Sequence, residues 1–241
     1  TNSRVDGLEA RFNDFEAGSF SDTTVAAFSA DFLIGAVDGS TNGELGSPSE
    51  AVSATYGYQI YLSTSFTGED TFAVSLDAGS GAAALGEADL NSGSDALTVD
   101  GISYQFPVGD KTQVVVGDSI DGSTLFSTAC VYGGFTNTLD DCGNYSSAFT
   151  TTGTSSVGFS ASYDIGNGFT GAIGYAGSGT STSGLMTKEG TDYYGGQVSY
   201  AADSYGASVT YANLEGTIDS TVWGLNGYYV PESSLPSISV G

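Results

Sequence analysis

From about Thr23 onward the chain repeats one pattern: side chains alternate between apolar and small polar with a period of two. Between Ala51 and Ser65, one parity holds Val52, Ala54, Tyr56, Tyr58, Ile60 and Leu62. The other holds Ser53, Thr55, Gly57, Gln59 and Ser63, with Tyr61 the exception. Residues 155–164 set Val157, Phe159, Ala161 and Tyr163 against Ser156, Gly158, Ser160 and Ser162. Phe28, Ala30, Phe32 and Ile34 oppose Ser29, Asp31 and Gly35, with Leu33 out of pattern. Phe72, Val74 and Leu76 oppose Thr71, Ser75 and Asp77, and Tyr205, Ala207, Val209 and Tyr211 oppose Gly206, Ser208 and Thr210. Successive side chains of a strand point to opposite faces, so each stretch reads as a strand with one apolar and one polar face.

The pattern predicts about eleven strands, at residues 24–37, 51–65, 70–79, 96–106, 111–118, 155–164, 168–177, 193–201, 204–213, 219–230 and 235–241. In the fourth, Leu97 and Val99 have one parity and Ile102, Tyr104 and Phe106 the other. Asp100-Gly101 marks the slip, as a β-bulge or as a tight hairpin. Short connections (66–69, 107–110, 165–167, 202–203, 231–234) alternate with longer ones (38–50, 80–95, 119–154, 178–192, 214–218). In an antiparallel meander, alternate connections lie at the same end. One end is therefore trimmed and the other decorated, as in outer-membrane barrels.

Such a sheet must cover its apolar face. A soluble sandwich covers it with a second sheet and favours Greek-key connections. Here the polar faces carry Ser, Thr, Gly, Gln and Asp rather than Lys and Glu, which suits a wet interior. Tyr163, Phe169, Tyr200, Tyr205, Tyr229 and Phe106 flank the short connections, as an interfacial aromatic girdle would. The reading is an all-β chain: part of a transmembrane antiparallel up-and-down β-barrel. Bacterial barrels have an even strand number, and an open edge in lipid leaves backbone groups unsatisfied. The full protein is therefore expected to continue past residue 241, to about 16–18 strands.

Residues 1–20 differ. Val5, Leu8, Phe12 and Phe15 recur at helical spacing among charges, and Gly18-Ser19 closes the run. The expected organisation is the end of a helical or coiled-coil linker at 1–20, then the N-terminal part of the barrel at 21–241.

Composition removes several functions. Four Lys+Arg against 28 Asp+Glu give a net charge of −24, which argues against nucleic acid and against docking by basic residues on anionic lipid. The carboxylates serve either hydration in salty water or a cation-attracting vestibule. With no His, Ser-His-Asp and Cys-His catalysis is impossible and His-containing zinc sites are excluded. No enzyme activity, cofactor or metal is expected. Asp118-Ser-Ile-Asp121-Gly122 lacks the acidic spacing of a calcium loop and is read as chance. The two cysteines, Cys130 and Cys142, lie in one Gly/Thr/Asn-rich stretch. They are either free thiols or a bridge; a bridge suits an oxidising compartment and would stabilise its loop by about 3 kcal/mol on the chain-entropy model.

RVDGLEARFNDFEAGSFSDTT followed by FSADFLIGAV resembles the start of the barrel in the cyanobacterial major outer-membrane porins, relatives of the OprB-type carbohydrate porins, also described as iron-uptake porins. YQFPVGDKTQVVVG and SVGFSASYDIGNGFTGAIGYAG look like hairpins of that family. The resemblance implies an outer-membrane homo-oligomer, expected to be a trimer, passing sugars, inorganic ions or iron species. It also implies a peptidoglycan-gripping N-terminal domain, which these residues do not contain. The scarcity of Arg argues against a sugar-selective constriction lined by basic residues.

The expected function is passive diffusion of small hydrophilic solutes, favouring cations, with the long connections outside the cell. Connection 119–154 either folds into the barrel and narrows it or stays in solvent. Asp118, Asp121, Asp140 and Asp141 lie on or beside it and are the constriction candidates, because rings of carboxylates favour cations. Asp31 and Asp77 share the polar parity and are secondary candidates. The alternative is an acidic, β-rich extracellular structural or adhesive protein, of surface-layer or appendage type. A barrel serving as a phage or adhesion receptor fits the same sequence.

Overall fold

The computed structural model describes residues 24–37, 49–80, 95–131, 157–179, 182–188, 190–216, 219–232 and 235–241. The expected helical linker at 1–20 lies outside them, as do Asp140, Asp141 and Cys142. Eleven strands form one antiparallel sheet in strict sequence order. They are β1 (Thr24–Val37), β2 (Ser49–Thr64), β3 (Thr71–Gly79), β4 (Thr98–Val108), β5 (Thr112–Asp118), β6 (Val157–Gly166), β7 (Phe169–Gly177), β8 (Asp192–Ala201), β9 (Tyr205–Glu215), β10 (Ser220–Tyr229) and β11 (Ile238–Val240). Each strand pairs with its sequence neighbours, the meander that the connection lengths imply. Among the described residues, β1 and β11 each pair on one side.

The register carries the sequence parity across the whole sheet. Phe28 sits opposite Ile60, which sits opposite Leu76. Further along, Phe159 meets Tyr175, Tyr175 meets Tyr194, and Tyr211 meets Trp223. A one-residue slip would send each of these to the other face, so the alternation itself specifies the pairing. At Asp100-Gly101 the ladder shifts: Ser75 pairs with Gly101 and Leu76 with Val99. Asp100 is the extra residue, and the bulge reading is the correct one. It restores the apolar parity on both sides of the slip.

Several boundaries differ from the sequence reading, and two of the differences have a local cause. β4 runs through Pro107 to Val108, and the turn falls at 109–111, where Gly109 takes φ +67°. The last strand is three residues long rather than seven. Pro236 has no N–H to donate, and the ladder begins beyond it, at Ile238 opposite Tyr229. The β6–β7 turn is Asn167-Gly168, both at positive φ (+55° and +84°), the Asn-Gly chemistry of a tight hairpin.

Burial is inverted relative to a water-soluble sheet. On the apolar face, large side chains stand exposed on every strand but β3: Phe32 (75%), Val52 (73%), Trp223 (67%) and Leu225 (67%) are examples. On the opposite face small or polar side chains are buried, with Ser160 at 0% and Thr210 at 1% exposure. Rings gather at the end with the short turns. Phe66 lies 6.0 Å from Phe72 and 6.2 Å from Tyr104, Tyr104 lies 5.3 Å from Phe106, and Tyr200 lies 4.8 Å from Phe169 and 5.8 Å from Tyr205.

Candidate functional site

From β6 onward, part of the polar face is buried by the chain's own connection. Residues 119–131 leave β5 and run over the polar face as far as β11. Strand glycines mark the first part of the route. A Cβ on Gly117 would stand 3.1 Å from Ile120 Cγ2, and one on Gly158 2.6 Å from the Ile120 carbonyl oxygen. A Cβ on Gly174 would collide with the Gly122 carbonyl oxygen. Glycine inside a strand weakens it, and here it gives the crossing backbone room. Ser119 at φ +56° begins the crossing and Ala129 at φ +44° lies near its far end.

Side chains of β6, β8 and β11 also fix the crossing. The Leu125 N–H donates to Ser160 Oγ at 3.3 Å. The Ser127 N–H donates to Gln197 Oε1 at 2.6 Å, and Gln197 Nε2 donates to the Ser127 carbonyl at 2.9 Å and to Thr210 Oγ1 at 2.8 Å. The Val131 N–H donates to Ser239 Oγ of β11 at 2.9 Å. Phe126 fills the space between, buried with Ala172, Ala176, Tyr193 and Ala212, and with Leu214 and Val222 packed against the cluster. The polar face thus holds a small dry patch. A buried Gln with all three bonds made is stabilising, whereas a missing partner would leave a polar group orphaned.

The acidic candidates divide. Asp121 lies on the crossing segment over the polar face and keeps solvent access. The protein around it removes part of its hydration and pushes its carboxyl above the ordinary range. Asp31 pairs with Gly57, and Asp77 pairs with Gln59 and Thr98. Both lie on the polar face, half-buried, and Thr98 Oγ1 donates to Asp77 Oδ1 at 2.9 Å. Asp118 departs from expectation. It pairs with Ile102 and Val157, so it has the register of the apolar face, at the strand end where it is exposed. Asp31, Asp77 and Asp121 are therefore brought to one face, and Asp118 is not. Cys130 ends the crossing segment; no free cysteine occurs among the described residues.

Asp70 was not singled out from sequence. It closes the β2–β3 turn, 4% exposed. Its Oδ1 accepts from Ser65 Oγ (2.7 Å), the Phe66 N–H (3.0 Å), the Thr67 N–H (2.8 Å) and Thr67 Oγ1 (2.8 Å), while Oδ2 accepts from the Tyr104 hydroxyl (2.7 Å). Burial alone would raise its pKa. The bonds from Ser65, Thr67 and Tyr104 outweigh that and hold the carboxyl well below the usual carboxylate range. The Ser-x-x-x-x-Asp turn was the available signal. No group of three or more metal-ligating side chains occurs among the described residues. The chain matches no known protein-family model, and no curated protein matches it at a significant level.

Proposed function

We propose that the strands of this chain belong to a porin barrel in an outer membrane that passes small hydrophilic solutes by passive diffusion, cations preferentially. The observation that carries this reading is the pairing of two opposite faces. Large apolar side chains stand exposed along the sheet on one side. Small polar ones on the other side are covered by a connection of the chain itself. Hydrocarbon outside and water inside account for both. An exposed apolar surface this extensive is costly in water and favourable in lipid. The rings beside the short turns suit the interface.

In this reading residues 119–131 narrow the pore, and Asp121, Asp31 and Asp77 face its water. With a net charge of −24, the entrance attracts cations, and the preference weakens as salt shortens the Debye length. In lipid both sheet edges need partner strands, because unpaired backbone there costs several kcal/mol per group. A Cys130–Cys142 bridge would tie the far end of the crossing; a mass shift on reduction and alkylation detects it. The resemblance to cyanobacterial porins, and the trimer it implies, belong to the same proposal.

The test is reconstitution in a planar bilayer. Stepwise conductance with a cation-selective reversal potential supports the reading. A protein that stays soluble without detergent and gives no conductance favours the extracellular structural alternative.

A further inference from the structure

A groove crosses the apolar face where two glycines interrupt it. In one row of the register Tyr163, Gly171 and Val198 sit side by side on β6, β7 and β8. In the next row Ala161, Ile173, Gly196, Tyr211 and Trp223 run from β6 to β10. Gly171, Gly196 and Ala161 leave a floor. The rings and branched side chains beside them form the walls of a cavity of about 740 Å³. Its lining begins at Thr112, the first residue of β5, and ends at Trp223, inside β10.

The fold itself does not require glycine at 171. Its φ is not positive, and among the described residues a Cβ there would meet only Ile165 Cδ1, at 3.5 Å. Gly158 and Gly174 differ, because crossing backbone takes their space. A glycine inside a strand weakens it and marks a place where something else approaches closely. The chemistry around the groove says what. Among the described residues, no Asp, Glu, Lys or Arg lines it. Lys111, one of four basic residues in the chain, lies in the β4–β5 turn directly before Thr112, at one end of the groove. Asp110 shares that turn, but both side chains are exposed, so their attraction is weak and leaves the ammonium available. Asp164, whose N–H donates to the Lys111 carbonyl, has the register of the polar face. From β5 to β10 the groove crosses strands spaced about 4.8 Å apart, a length of roughly 24 Å. A ligand that fits is long, thin and apolar, with an anionic group at one end.

We propose that this groove holds one acyl chain of a membrane phospholipid, with the lipid phosphate at Lys111. The inference rests on the reading that the apolar face lies in hydrocarbon. Lys111 and Thr112 belong to the end with the short turns, beside the rings that suit the interface, so head and tail run in the direction a lipid takes. Strands tilted by about 40° incline the groove, and its length then spans roughly one leaflet. An ordered chain in the notch makes dispersion contacts that loosely packed lipid forfeits. A second copy of this chain fits less well. It brings a net charge of −24 and no phosphate for Lys111, and a stable protein interface takes about 20–30 residues from each side, more than line this groove.

Trp223, the single tryptophan, lines the groove and reports on its contents. The experiment holds the full chain in micelles of an unbrominated detergent and titrates in phosphatidylcholine brominated at mid-chain. Trp223 quenching should saturate at a low lipid fraction rather than rise in proportion to it. Gly171→Leu fills the floor without needing a positive φ and should weaken the saturable binding roughly tenfold or more. Lys111→Met should weaken it by roughly threefold to tenfold. In vesicles made wholly of the brominated lipid, the wild type and both variants should be quenched alike, because the face as a whole lies in hydrocarbon. Proportional quenching in micelles, or saturable binding that either substitution leaves unchanged, overturns the groove while strong quenching in vesicles leaves the membrane reading standing. Weak quenching of all three proteins in vesicles overturns both.

Discussion

Gln197 grips Ser127 by both main-chain groups, 70 residues away in sequence: its Oε1 accepts the Ser127 N–H at 2.6 Å and its Nε2 donates to the Ser127 carbonyl at 2.9 Å. A residue held by both of its main-chain groups cannot slide along the sheet. This clamp, rather than the length of the connection, makes residues 119–131 a fixed part of the polar face.

Gln197→Leu should release the segment. The Ser127 N–H and carbonyl and Thr210 Oγ1 would lose their partner inside a buried patch, a cost of about 1–3 kcal/mol. In the pore reading the single-channel conductance rises and becomes noisier, because the segment samples positions away from the sheet. Planar-bilayer recording checks this, and unchanged conductance with unchanged thermal stability would remove the clamp from the account.

Gly174→Ala tests the route of the crossing. The added Cβ collides with the Gly122 carbonyl oxygen, and backbone has to shift. Gly166→Ala is a different control: its Cβ meets nothing, but its φ of +96° strains the β6–β7 turn. The first substitution should alter conductance, and the second should lower the melting temperature while leaving conductance unchanged. Equal effects on conductance would contradict the crossing.

Asp121 gives a pH dependence of definite sign. Burial raises its pKa in the folded state. Its ionised form is therefore disfavoured by folding, and it takes up a proton at a pH above the ordinary value of about 3.9. As pH falls from neutral, cation selectivity should begin to drop before the exposed carboxylates titrate. Asp121→Asn should show the reduced selectivity already at pH 7 and lose this early step, while folding stability at pH 7 stays equal or rises slightly. Reversal potentials against pH for the two proteins measure the difference.

Asp70 behaves oppositely. Its folded pKa is depressed, so its contribution to stability is full above the unfolded value of about 3.9 and is lost as pH falls through the lower folded value. Asp70→Asn should lower the melting temperature at neutral pH. The gap between the two proteins should stay constant above about pH 5 and shrink below about pH 4. A gap that does not change with pH would show that shape, not charge, holds the turn.

The sheet was largely legible because alternation is a local signal and register follows from it. Even the bulge was visible, as the change of parity at Asp100-Gly101. The polar-face register of Asp31 and Asp77 follows from the same alternation. Asp118 follows Gly117 at the strand end, where an exposed charge on the apolar face costs little and so carries no information about facing. The crossing could not be read, since Phe126, Gln197 and Ser239 meet only through tertiary packing. Its trace was nevertheless present in Gly158 and Gly174, glycines within strands with no turn to make. Asp70 carried no such signal of its role, because Ser65, Thr67 and Tyr104 meet it only in the folded turn.

In the pore reading hydrocarbon covers the apolar face, and the single tryptophan reports on it. Trp223 stands 67% exposed on that face, 4.9 Å from Tyr211. Its fluorescence in vesicles whose acyl chains carry bromine should be strongly quenched, while acrylamide in the water should quench it weakly. Weak quenching by brominated chains together with strong quenching by acrylamide would place Trp223 in water and contradict the account.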